Sequence, residues 1–132
     1  MYRHQNAGTA TDKSQKVRDM FDSIANRYDF LDHFLSANLD RHWRRVCVEE
    51  MQKRTQSPLP GILDIGCGTA DLSIAFSGLG PVIGCDFSHP MLCRGIQKIS
   101  DSVQLLPISL LEADALVLPF RDKSFDIVVS AF

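Results

Sequence analysis

Leu63-Asp64-Ile65-Gly66-Cys67-Gly68-Thr69-Ala70-Asp71 decides how the chain is read. Ile62-Leu63-Asp64-Ile65 is short and nearly all apolar, as in a parallel strand covered on both faces. The glycines after it let the backbone turn sharply and let a ligand approach without a Cβ in the way. Leu72, Ala75, Phe76 and Leu79 then follow at helical spacing. The pattern is strand, glycine loop, helix.

Working outward, Pro81-Val82-Ile83-Gly84-Cys85 reads as the next strand and stops at Asp86. Ser88 is a good N-cap, with Pro90 in the first turn, for a helix bearing Met91, Leu92, Ile96 and Ile99. Ile108 to Leu111 is a third strand ending near Asp114, and Asp126 to Phe132 a fourth. This alternation predicts a doubly wound, Rossmann-like α/β sheet. Upstream, Ser57-Pro58-Leu59-Pro60-Gly61 breaks any regular element. Before it, Val17, Met20, Phe21, Ile24, Ala25 and Tyr28 form one helical stripe, with Asp12 and Gln15 as a candidate capping box. A second helix places Leu39, Trp43, Val46, Cys47 and Met51 on one face, with Arg41, Arg44 and Arg45 elsewhere. The expected organisation is a disordered N-terminus over 1–13, a helical extension over 14–56 and an α/β domain over 57–132. That domain is expected to be incomplete, because Phe132 falls inside an apolar strand with no helix after it.

Composition fits one globular domain: 132 residues, 45% hydrophobic and 23% charged. With 14 basic and 16 acidic side chains the formal charge is −2, so no basic field exists to hold a nucleic acid. Cys47, Cys67, Cys85 and Cys93 contain no C-x-x-C and no ligand spacing to histidine, which points to reduced structural thiols and no metal site. The N-terminus has no signal-peptide core, and no apolar run approaches the roughly 18 residues of a membrane span. A soluble, cytoplasmic protein is expected.

Three carboxylates define the expected chemistry. Asp86 ends the second strand, where a carboxylate can accept both ribose hydroxyl protons of a nucleoside. Asp114-Ala115 ends the third strand on the same sheet edge, where a carboxylate and a backbone N–H can hold adenine. The dinucleotide fingerprint G-x-G-x-x-G fails because position 71 is Asp71, and no G-K-[ST] follows. Asp64 and Asp71 bracket the loop and would repel a pyrophosphate by ~1–4 kcal/mol. They favour a cation, such as the sulfonium and ammonium of S-adenosylmethionine.

These features, with Glu112-Ala113-Asp114-Ala115, Leu118-Pro119-Phe120 and Ser124-Phe125-Asp126, resemble class I S-adenosylmethionine-dependent methyltransferases. Val17 to Arg45, with Tyr28-Asp29, Ser36, Arg41 and Trp43, is similar to the N-terminal signature of the ubiquinone/menaquinone biosynthesis C-methyltransferases, the UbiE/MenG family. Leu31, Asp32, Asn38 and Asp40 depart from that signature. The resemblance implies that Thr69 and the Gly66–Gly68 backbone touch the methionine part of the cofactor, with Asp64 also among the cofactor-binding residues. It implies ribose at Asp86, adenine at Asp114 and Ala115, and a place near the cofactor for Ala131. Tyr28 and Trp43 would line a lid. Implied too are a polyprenylated quinol substrate and methyl transfer to its ring. Arg41, Arg44 and Arg45 read as a solvated helix face, with peripheral contact to anionic lipid as the alternative. No catalytic base is assigned, although His33 and His42 are titratable. Two other readings stay open: a catalytically incomplete cofactor-binding fragment, and a methyltransferase for another small molecule. A nicotinamide oxidoreductase conflicts with Asp71.

Overall fold

The computed structural model describes residues 13–20, Asp22 and residues 39–131. Tyr28, His33 and the rest of the first apolar stripe beyond Met20 lie outside the described residues, as do Asp12 and Phe132. Residues 13–20 and Asp22 are helical and are termed α1. There follow α2 (Leu39–Arg54), β1 (Ile62–Ile65), α3 (Asp71–Phe76), β2 (Val82–Asp86), α4 (His89–Asp101), β3 (Ile108–Glu112) and β4 (Ile127–Val129).

The strands form one parallel sheet in the order β3-β2-β1-β4. The chain winds outward from β1 to β3, then returns to the other side of β1. That reversal leaves a crevice beyond the carboxyl ends of β1 and β4, where open α/β sheets collect ligands. Register puts Asp64 opposite Gly84 and Val129, so all three share one face of the sheet. Leu111 and Val128 alternate onto the other face and are exposed.

Ile62, Leu72, Phe76, Val82 and Ile127 form the core, against which Cys47, Val48 and Met51 of α2 pack. The packing face of α2 therefore differs from the sequence reading. Trp43 is 49% and Val46 40% exposed, one step around the helix from the Cys47-Val48-Met51 stripe that meets the core. α3 is shorter than its apolar spacing suggests. Leu79 and Gly80 both donate to the Phe76 carbonyl, at 2.9 and 3.3 Å, so the helix closes in a turn and Leu79 lies beyond it. β4 is also shorter than the expected Asp126–Phe132. Asp126 instead clamps the start of β1: Gly61 N–H donates to its Oδ2 at 2.8 Å, and its own N–H donates to the Gly61 carbonyl at 2.9 Å.

Candidate functional site

The glycine loop is a tight left-handed turn. Gly66 and Gly68 have φ of +68° and +53°, and Ala70 follows at +67°. The first two favour glycine because an L side chain is strained there. A Cβ at either would meet nothing within 4 Å, so the outer surface of the loop is open rather than packed. The Gly66 and Cys67 amides both donate to the Cys85 carbonyl, at 2.8 and 2.9 Å, which fastens the loop to the end of β2.

Asp86 sits where β2 ends, and its side chain is turned onto that loop. Its Oδ2 accepts from Gly68 N–H at 2.8 Å and its Oδ1 from Ser88 N–H at 2.9 Å. Each carboxylate oxygen has a second lone pair, so a ligand hydroxyl can still be accepted.

Asp64 lies beneath the loop and is 1% exposed. Its Oδ2 accepts the Ser73 hydroxyl at 2.6 Å. Burial lifts its titration from 3.8 to about 6; the Ser73 hydrogen bond opposes this and the Asp86 charge adds to it. Gly84 makes the arrangement possible, since a Cβ there would stand 3.0 Å from both Ser73 Oγ and Cys67 Sγ. Burial also pushes the Cys67 and Cys85 thiols up, with the Asp64 and Asp86 charges contributing.

Asp71 does not play the part the sequence suggested. Lys98 Nζ stands 3.2 Å from its Oδ2 and donates to Thr69 Oγ1 at 2.7 Å. Its charge is therefore balanced by a lysine from α4. Any preference of the loop for a cation rests on Asp64 and Asp86.

Asp114 and Ala115 follow β3 beside Asp86 and are exposed. Asp114 Oδ1 accepts from Leu116 N–H at 2.9 Å and its carbonyl from Val117 N–H at 3.0 Å, an Asx turn that fixes the carboxylate. Ala131, past β4, is half-buried against the core. Its neighbour Ser130 donates to the Ile65 carbonyl at 2.9 Å and ties the ends of β4 and β1. The structure thus gathers Asp64, Gly66, Gly68, Thr69 and Asp86 closely, with Asp114 and Ala115 along the same edge. Trp43 is on α2.

Several groups escaped the sequence reading. Ser88 has the backbone of an N-cap, but its hydroxyl caps nothing and donates to Asp22 Oδ1 of α1 at 2.7 Å. Arg18 Nη1 pairs with Glu112 Oε1 at 3.1 Å, and His89 Nδ1 lies 3.0 Å from the other carboxylate oxygen. These ties bring α1 beside Asp86, although an exposed pair such as Arg18–Glu112 contributes only ~0.2–1 kcal/mol. Ser73 was detectable, as a hydroxyl at the core-facing spacing beside Leu72 and Phe76. Lys98 carried no local signal.

The role of Ser73 is testable. Ser73→Ala strips the donor from a buried carboxylate, at a cost of ~1–3 kcal/mol. Because protonated Asp64 needs that donor less, the loss should be largest above pH 7 and shrink as pH falls below about 6. Urea unfolding at pH 5 and pH 8 measures it, and a pH-independent loss would contradict this role for the hydroxyl.

A parallel sheet in this order, with a left-handed glycine turn after β1 and a carboxylate at the end of β2, is the arrangement of class I S-adenosylmethionine-dependent methyltransferases. A candidate S-adenosyl-L-methionine-dependent methyltransferase from Methanococcus maripaludis superposes with a TM-score of 0.69 at 24% identity, covering 83% of this chain and 49% of that one. The chain belongs to the ubiE/COQ5 methyltransferase family, whose model matches residues 9–132. It is 38% identical over 126 residues to the ubiquinone/menaquinone biosynthesis C-methyltransferase UbiE of Geotalea uraniireducens (strain Rf4), covering 92% of this chain and 52% of that protein. It is also 38% identical over 124 residues to the demethylmenaquinone methyltransferase of Bacillus cereus (strain B4264), covering 91% and 51%. The chain spans about half the length of the curated relatives it matches. Among the described residues no helix is long and apolar enough to cross a membrane.

Proposed function

We propose that the complete protein transfers a methyl group from S-adenosylmethionine to a ring carbon of a polyprenylated quinol, either demethylmenaquinol or the benzoquinol precursor of ubiquinone. The observation that carries the cofactor half is Asp86, held by the Gly68 and Ser88 amides beside a loop whose outer surface is open. The names of the relatives support the quinol half. A prenylated substrate partitions into lipid, which in this reading puts the reaction at a membrane surface on the cytoplasmic side.

The residues present fit the cofactor. Asp86 would accept the ribose hydroxyls, and Asp114 with the Ala115 amide would take the adenine edge. Thr69 and the Gly66–Gly68 backbone would lie along the methionine part, with Ala131 at the end of β4 nearby. Asp64 and Asp86 would face its positive charge. Bound there, the cofactor supplies an electrophilic methyl group on a cationic sulfur. The chain's own contribution is to fix that ligand in one pose and shield it from water, and fixing two reactants can supply several kcal/mol, up to ~7–11 in ideal cases. The helices before Ser57 would serve as a lid, on whose surface Trp43 of α2 is exposed. No residue is assigned as the base. His42 Nδ1 lies 3.4 Å from Arg45 Nη2 on the surface of α2.

The test is an assay of the complete protein with S-adenosylmethionine and each quinol in turn. Mass spectrometry should find one added methyl on one or both rings. Cofactor binding without methylation of either quinol would overturn the substrate assignment.

A further inference from the structure

We propose that the cleft between α2 and α3 is a second ligand site, which takes an oxyanion such as the phosphate of a small molecule or of a lipid head group. Arg41, Arg44 and Arg45 stand at i, i+3 and i+4 on α2, so their side chains share one side of the helix. They face the outer surface of α3 across a cleft of about 410 Å³, within the range of small-ligand pockets. Val48, Ile74 and Ala75 supply its apolar lining, and Asp71 is its acidic member.

The charges do not cancel. Asp71 is already paired with Lys98 at 3.2 Å, and Glu49 with Arg45 at 3.7 Å. Among the described residues no carboxylate lies within ion-pair distance of Arg41 or Arg44, and Arg44 is half-buried. Two guanidinium groups without a carboxylate partner beside one cleft favour an anion there, and phosphate matches the planar fork with two parallel hydrogen bonds. Net charge argues against a long polyanion, because the chain as a whole carries −2. A compact anionic group is the chemistry that fits. The inference does not depend on the quinol assignment.

Titration calorimetry reads the binding. The complete protein is titrated with inorganic pyrophosphate and, separately, with vesicles of phosphatidylglycerol in phosphatidylcholine. A saturable response to pyrophosphate supports a free phosphate ligand, and a response to the charged vesicles alone supports a lipid head group. In either arm the Arg41→Gln/Arg44→Gln double variant should bind at least about tenfold more weakly. Asp71→Asn should bind more tightly, a gain that misfolding cannot mimic. No response to either probe, an unchanged double variant, or displacement of pyrophosphate by S-adenosylmethionine would overturn the proposal. The last result would assign the arginines to the cofactor site instead.

Discussion

Asp86→Ala should weaken S-adenosylmethionine binding to the complete protein by about 100-fold or more, as read by titration calorimetry. Two effects combine. Hydrogen bonds from ligand hydroxyls to a carboxylate contribute ~1.5–3 kcal/mol each, and each ~1.4 kcal/mol is tenfold in affinity. The same carboxylate also positions the loop through Gly68 N–H and starts α4 through Ser88 N–H, and both contacts vanish with it. Asp86→Asn keeps one acceptor oxygen for these contacts and should fall between the two. Wild-type affinity in the alanine variant would remove Asp86 from the ribose site.

Gly80→Ala should be the most destabilising single methyl in the described chain. Gly80 and Pro60 are both buried where β2 and β1 begin, and a Cβ on Gly80 runs into the Pro60 carbonyl. Backbone cannot step aside as a side-chain tip can, so the two strand starts must separate. Overpacking typically costs ~1–3 kcal/mol, and a rigid backbone clash belongs at or above the top of that range. Against the ~5–15 kcal/mol of an ordinary domain, that is a large loss. Gly78→Ala is the control. Its Cβ would rest 4.0 Å from Leu105 Cδ1, an ordinary contact, and its effect should stay within ~1 kcal/mol. Equal urea midpoints for the two variants would contradict the clash.

Asp64, on β1 beneath the glycine loop, carries a cost in stability. Its carboxyl titrates near 6 in the fold rather than at 3.8, which at ~1.36 kcal/mol per tenfold costs about 3 kcal/mol at neutral pH. The sign follows from the raised value. Between about 6 and 3.8 the folded chain binds the proton and the unfolded chain does not, so this group stabilises the fold as pH falls through 6. An ionised, buried aspartate at neutral pH is a cost that a bound cation would offset.

The sheet was legible because its signals are local. Ile62–Ile65 and Val82–Asp86 are apolar runs ended by a glycine loop or a carboxylate, and Ser88-His89-Pro90 marks the start of α4 in backbone geometry. Asp64, Gly66, Gly68, Thr69 and Asp86 came together because strand ends and the turn between them dictate their positions. What local signals could not carry was partnership at a distance. Asp71 looks like a free carboxylate until Lys98, 27 residues away, is folded onto it. Ser88 looks like a cap until Asp22, 66 residues away, takes its hydroxyl. On α2 the apolar residues surround much of the helix, so periodicity alone could not choose Val48 over Trp43 and Val46 as the packing stripe. α3 ended early because two amides converge on the Phe76 carbonyl, whereas apolar spacing runs on to Leu79.

The most direct test is a crystal structure of the complete protein grown with S-adenosylmethionine. The expected density places both ribose hydroxyls within hydrogen-bonding distance, ~2.6–3.0 Å, of the Asp86 carboxylate, with the sulfonium over Gly66–Gly68. An adenosyl group bound away from Asp86, with that carboxylate facing solvent, would contradict it.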